Sequence, residues 1–355
     1  MRIRFKKIFA FILILAIGYF CYLHKGWFKE QYRHAKGTYY IYKGDKAYNA
    51  GNMAKTIDYY IIGLRLYPKH YDAWFNLGNI YAVHEDYYSA ADAYQHAINA
   101  RPNFILAKMN LGIIYSRYLG QFDDAIKQFD EITKLITKTK PFRLWIPFVY
   151  SNVKSIRTNK GLAYFNKGVA WKQKAMYLPL EKRYLMYEYL GNAIEAYTKS
   201  IKILKKNYDP YYNRAVAYHL RGDYRLAGLD YCEAIKIAPM KFEGHYNLAV
   251  LLRGLDKNRE SFSELQKAAL LVSESPSSSS VETTYIFNLL NEVTRRLLSS
   301  DAYYTEQLTN SPFEGVSYTY VNGKIVASGD FDKAIDKNFK TCAGFIYFKD
   351  DYDEE

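Results

Sequence analysis

The stretch "YDAWFNLGNIYAVHEDYYSAADAYQHAINARP", residues 71 to 102, contains two runs of helix-forming residues separated by "HED" and closed by Pro102. A glycine interrupts the first run at Gly78, and its counterpart Gly112 stands 34 positions further on; Pro102 likewise falls 34 residues after Pro68. A fixed period of this length signals stacked helical hairpins, each too thin to bury its apolar faces alone. Counted from Tyr71, the residues Trp74, Leu77, Gly78, Tyr81, Ala90, Tyr94, Ala97 and Pro102 occupy positions 4, 7, 8, 11, 20, 24, 27 and 32.

A second close copy starts at Tyr208. There Tyr211, Ala215, Tyr218, Gly222, Ala227, Tyr231, Ala234 and Pro239 fall at positions 4, 8, 11, 15, 20, 24, 27 and 32. Position for position, both stretches resemble the tetratricopeptide repeat family. Weaker copies begin at Gly37 (Gly44, Gly51, Tyr60, Pro68), at Ile105 (Leu111, Gly112, Tyr115, Ala125, Phe129) and at Phe242 (Leu248, Ala249, Leu265, Ala268). The third repeat carries one extra residue near Gly120. A fourth has Gly168 and Trp171 in place, but Ala193 and Tyr197 follow only after an insertion of roughly a dozen residues around "MYLPLEKRYLMYEY". Together with "TKPFRLWIPFVYSNVKSIRT" before it, this insertion predicts a bend or a split into two halves near residue 150.

The fold class that follows is an all-α superhelical solenoid of about six tetratricopeptide hairpins, with an N-terminal transmembrane helix and a small C-terminal α+β appendage. In this reading Gly78 lets the two helices of its hairpin bring their backbones close, an approach that offsets a propensity loss of up to about 1 kcal/mol. Ala90 and Ala97 serve the same approach from the second helix. Tyr81 and Tyr94 fill gaps between neighbouring hairpins, and Pro102 ends the second helix.

The resemblance also implies where a ligand would sit. Position 6 faces the inner surface in this family, and here it is Asn76, Asn110, Asn166, Asn213 and Asn247 in five of six repeats. A ladder of amides offers donors and acceptors that match the backbone of an extended peptide; equally, asparagine is frequent at this position whatever the protein binds. Position 5 adds Phe75, Met109, Phe165, Tyr212 and Tyr246, an apolar stripe shared between ligand contact and packing. Arg117, Lys172, His219 and Arg253 lie near the ends of the first helices, where they complement the helix dipole and, if they line a groove, favour an acidic ligand. The family's clamp for a C-terminal carboxylate needs Lys at position 5 and Asn at position 9 of one repeat. Ile41 and Asp45 stand there in the first, so the clamp is not expected.

At the N-terminus, Arg2, Arg4, Lys6 and Lys7 precede an apolar run from Ile8 to Leu23, with Trp27 and Phe28 beyond it. Such a run suits a spanning anchor over 8–28 with the N-terminus inside and an extracytoplasmic, periplasmic body. No small-residue cleavage site follows soon enough for a secretory signal, and Phe20 before Cys21 spoils a lipoprotein-type site. The expected organisation is a basic flank at 1–7, the anchor at 8–28, a juxtamembrane stretch at 29–36 and the repeat array at 37–273. Its repeats lie near 37–70, 71–104, 105–140, 161–207, 208–241 and 242–273. A Ser-rich linker at 274–280 and a capping helix at 281–298 follow, with Ile286, Leu289, Leu290, Val293 and Leu297 at helical spacing. Within 299–355, Asn322-Gly323 between alternating side chains signals a β-hairpin, ahead of an acidic tail.

Composition narrows the function. The formal net charge of +13 is spread along the chain, which argues against a nucleic-acid site, and 38 tyrosines suit the half-exposed faces of a thin, open protein. Cys21, Cys232 and Cys342 show no CxxC spacing, so neither a disulfide framework nor a zinc site is indicated, and the seven histidines form no ligand pattern. Phosphate loops, dinucleotide fingerprints, nucleophile elbows and metal clusters are absent. The expectation is a non-enzymatic, membrane-anchored scaffold without cofactor, metal or small-molecule substrate, gripping a protein or peptide partner in its groove. Two alternatives stay open: a cytosol-facing targeting or import receptor, and an enzyme-regulatory subunit acting through residues 281–355.

Overall fold

The computed structural model describes residues 19–20, 22–138, 147–274, 280–300, 316–321 and 324–329. The chain divides into two compact units, Met1–Lys138 and Thr139–Glu355, so the division falls at the exit of the third repeat.

In the first unit, α1 (Lys25–Asn49) pairs with α2 (Met53–Leu66), α3 (Tyr71–Val83) with α4 (Tyr87–Ala100), and α5 (Ile105–Arg117) with α6 (Phe122–Lys138). Side chains start these helices: Asn52 accepts the Lys55 N–H at 3.1 Å, His70 Nδ1 that of Ala73 at 3.2 Å, and Asp86 that of Ser89 at 3.1 Å. The turn within each hairpin needs one left-handed residue. Gly51 (φ 74°) and Gly120 (φ 67°) supply it freely, whereas the second hairpin uses Glu85 (φ 61°).

The second unit pairs α7 (Pro147–Met176) with α8 (Met186–Leu204), α9 (Tyr208–Arg221) with α10 (Tyr224–Ile237), and α11 (Phe242–Gly254) with α12 (Asn258–Glu274). The insertion takes the form of a 3-10 helix, Leu180–Leu185, ahead of α8. The first helix of this repeat also reaches back to Pro147, well before the repeat's first residue at 161. α13 (Ser280–Ser300) lays Ile286, Leu290 and Val293 over Ala249, Leu265, Ala268 and Val272, which closes the apolar end of the last hairpin. Strands β1 (Val316–Val321) and β2 (Lys324–Gly329) pair antiparallel, Val321 opposite Lys324; Asn322 and Gly323 between them lie outside the described residues.

The glycine reading needs correcting in its mechanism. A Cβ on Gly78 would meet the Tyr94 ring at 2.7 Å; on Gly112 the Phe129 ring at 2.7 Å; on Gly168 the Tyr197 ring at 2.6 Å; and on Gly44 the Tyr60 ring at 2.7 Å. Position 8 is therefore a seat for the position-24 aromatic of the same hairpin, and these rings also reach the next hairpin, Tyr94 clustering with Ala107 and Leu111 and Tyr60 with Ala73 and Leu77. Backbone approaches backbone elsewhere, at Gly37 and Gly63 of the first hairpin, where an added Cβ on either would stand 2.9 Å from the other's carbonyl oxygen. Where the seat is Ala249, the second helix offers Leu265.

Two further expectations change. Among the described residues no helix is long and apolar enough to cross a membrane, which overturns the single-pass anchor and the localisation built on it. The described part of that run continues into α1, which carries Lys25, Lys29, Glu30, Arg33 and Lys36 along its first turns, a density of charge unsuited to hydrocarbon; residues 1–18 and Cys21 lie outside the described residues. Cys232 on α10 is disulfide-bonded, which the cysteine spacing did not indicate.

Candidate functional site

The buried tyrosines of the first two hairpins organise the polar groups around them. Tyr60 is 2% exposed, and its hydroxyl donates to Asp45 Oδ1 at 2.5 Å. Asn76, on the first helix of the next hairpin, lies beside the same hydroxyl and shares the surrounding cleft with it. One repeat later the pattern recurs: Tyr94 donates to Asn79 Oδ1 at 2.8 Å, while Asn110 reaches back to Asn79 Oδ1 at 3.1 Å and to the Tyr94 hydroxyl at 3.4 Å. A position-6 asparagine thus joins its own hairpin to a position-24 tyrosine and a position-9 acceptor of the preceding one. Burial pushes both phenols above their ordinary range, and for Tyr60 the hydrogen bond to the Asp45 carboxylate adds to it. In the third repeat Phe129 replaces the tyrosine and Ile113 stands at position 9, so hydroxyl and acceptor are absent together.

Between α1 and α3, above Tyr60, a cleft of about 480 Å³ opens, lined by Asp45, Tyr48, Asn49, Met53, Tyr60, Asn76, Asn79, Ile80, Val83 and His84. Tyr48 and Val83 at its mouth are 50% and 80% exposed. Of the proposed groove residues, only Asn76 lines it. Tyr60 entered the sequence reading only as a repeat marker and Asp45 only as a failed clamp position, and Asn79 was not singled out; the spacing of 15 residues shared by Asp45–Tyr60 and Asn79–Tyr94 could have shown the pairing.

The other proposed groove residues occupy varied surroundings. Asn247 donates to the Tyr212 hydroxyl at 2.7 Å, and Asn166 to the Leu162 carbonyl at 3.1 Å. Asn213 donates to the Asp209 carbonyl at 2.9 Å and accepts from Lys172 Nζ at 2.8 Å. Desolvation pulls the Lys172 ammonium down to about 8. At position 5, Phe75 packs on Tyr94 and Phe104, Phe165 on Tyr197, and Tyr212 stacks on Tyr208; Met109 is buried and Tyr246 half-buried against the last core cluster. Arg253 pairs with Glu292 of α13 at 2.8 Å, His219 lies edge-on to the Tyr224 and Tyr231 rings, and Arg117 is exposed. Among the described residues no group of three His, Cys, Asp or Glu side chains is arranged to hold a metal ion.

Comparison with known proteins agrees with this architecture. Tetratricopeptide repeat profiles match residues 43–103 and 208–239. The chain therefore carries tetratricopeptide repeats in an all-α helical solenoid. A TPR repeat-containing protein of Methanocaldococcus jannaschii is 23% identical over 203 residues, covering 51% of this chain and 35% of that protein. A UDP-N-acetylglucosamine–peptide N-acetylglucosaminyltransferase of Giardia intestinalis is 32% identical over 71 residues, 20% of this chain and 5% of the enzyme. The chain thus spans about a third of the first relative and a small fraction of the second. Among solved structures, PilW, a type IV pilus biogenesis factor, superposes with a TM-score of 0.50 at 14% identity, over 70% of this chain and 97% of PilW, a likeness of fold alone.

Proposed function

We propose that the protein is an interaction scaffold that holds a segment of a partner polypeptide in the cleft of its first unit. Tetratricopeptide proteins act as protein-interaction scaffolds, and the observation that supports this use here is the cleft itself. It is open, more apolar than polar, and set between the first helices of two stacked hairpins. Asn76, Asn79 and Asn49 offer amides of the kind that pair with peptide backbone, while Met53, Ile80 and Val83 offer apolar contact to side chains. Of the position-6 asparagines, Asn76 contributes here through its remaining hydrogen-bonding capacity.

A random 12-residue phage-displayed library panned against the full chain tests this. Selected peptides are expected to lose binding to a Val83→Trp variant, whose bulk fills the cleft from an exposed position without disturbing the core. Equal binding to the variant, or failure to select any peptide, would refute the assignment.

A further inference from the structure

The cleft's hydrogen-bonding inventory specifies more than "peptide". Tyr60 spends its one hydroxyl proton on Asp45 at 2.5 Å, with Asn76 beside it in the cleft. Asn79 Oδ1 is taken by Tyr94 and Asn110. The second oxygen of Asp45 is left, and among the described residues no Lys, Arg or His pairs with that carboxylate. The two lysines flanking it on α1 turn to other surfaces: Lys43 lies over the Tyr39 ring at 4.9 Å and Lys46 over the Tyr42 ring at 4.8 Å. No lysine or arginine lines the cleft, although the chain's formal net charge is +13. A half-buried carboxylate with an unused oxygen, reached past the apolar walls of Met53, Ile80 and Val83, fits a side chain with an aliphatic stem and a cationic head.

We infer that this cleft selects a lysine or arginine side chain from the polypeptide it holds, with Asp45 as the anionic contact; the inference rests on the groove reading above. It runs against the acidic ligand that Arg117, Lys172, His219 and Arg253 suggested, and none of those four lines the cleft. It also runs against the chain's overall charge, which biases non-specific attraction toward acidic peptides.

The test is a set of degenerate 12-residue peptide pools whose central residue is fixed as Lys, Arg, Gln or Glu, measured by fluorescence anisotropy against the full chain and two variants. Asp45→Asn keeps an acceptor for Tyr60, and Val83→Lys places a competing ammonium at the mouth. Circular dichroism establishes that both fold. The Lys and Arg pools are expected to bind about tenfold more tightly than the Gln and Glu pools, and both variants to bring that ratio near one. Equal binding of all four pools, or a ratio unchanged in Asp45→Asn, overturns the charge selection and leaves the groove standing. No saturable binding by any pool, with wild type folded, overturns both.

Discussion

An added methyl at Gly78 would come within 2.7 Å of the Tyr94 ring, which is wedged between helices and cannot retreat. Gly78→Ala gains up to about 1 kcal/mol of helix propensity but forces overpacking that costs about 1 to 3 kcal/mol. A net loss of about 1 kcal/mol is expected in urea denaturation. Adding Tyr94→Leu should recover part of it, because the last hairpin already pairs Ala249 with Leu265. The tyrosine hydroxyls separate in the same way. Tyr94→Phe removes a bond to Asn79 and should cost about 1 kcal/mol. Among the described residues nothing hydrogen-bonds the buried Tyr197 hydroxyl, so Tyr197→Phe should be neutral or stabilising. Equal losses in the two variants would contradict the network described here. Sequence reading found position 8 and its aromatic partner as separate features of a pattern. That the ring of one rests on the other is a contact across a turn, to which a 34-residue period is blind.

Elements are held together by polar groups as well as rings. On α11 and α12, His245 Nδ1 lies 2.6 Å from Glu264 Oε2, Lys267 Nζ lies 2.6 Å from Glu264 Oε1, and His245 Nε2 faces the Pro239 carbonyl at 3.0 Å. Burial alone would raise the Glu264 carboxyl; the hydrogen bond from His245 and the charge of Lys267 outweigh it and hold the group at about 2, below its ordinary 4.5. Because the folded value is depressed, the stabilisation is complete above the unfolded value and is lost as pH falls from about 4.5 toward 2. Glu264→Gln should therefore lower stability by about 3 kcal/mol at pH 7 and flatten the acid limb of the stability profile. An acid limb unchanged in the variant would contradict the ion network. None of these three residues stands out in the sequence, since charged side chains on a surface-like helix usually face water. The amide ladder shows the same limit: its period was legible, but the reach of Asn110 back to Tyr94 and Asn79 depends on how one hairpin seats on the next.

At the scale of the whole chain, repeat stability is a sum of hairpins and their interfaces, so an uncovered end is a weakness. Deleting residues 280–355 exposes Ala249, Leu265, Ala268 and Val272, now covered by α13. A lower thermal midpoint and increased binding of a hydrophobic dye are expected, whereas unchanged values would mean that α13 is not a cap. The helical solenoid of tetratricopeptide hairpins was legible from the 34-residue period. The cleft was not, because Asp45 in a weakly matching first repeat reads as an ordinary solvated acid until Tyr60 is placed beside it. The apolar N-terminal run misled in the other direction: it suggested a spanning anchor, whereas among the described residues no helix is long and apolar enough to cross a membrane. The account depends most on a polypeptide lying in the cleft of the first unit, and site-specific photo-crosslinking measures that directly. With benzoylphenylalanine at position 83, degenerate 12-residue peptides should crosslink saturably; at position 88, exposed on the second helix of the same hairpin, they should not. Equal labelling from both positions, or labelling from 88 alone, would contradict it.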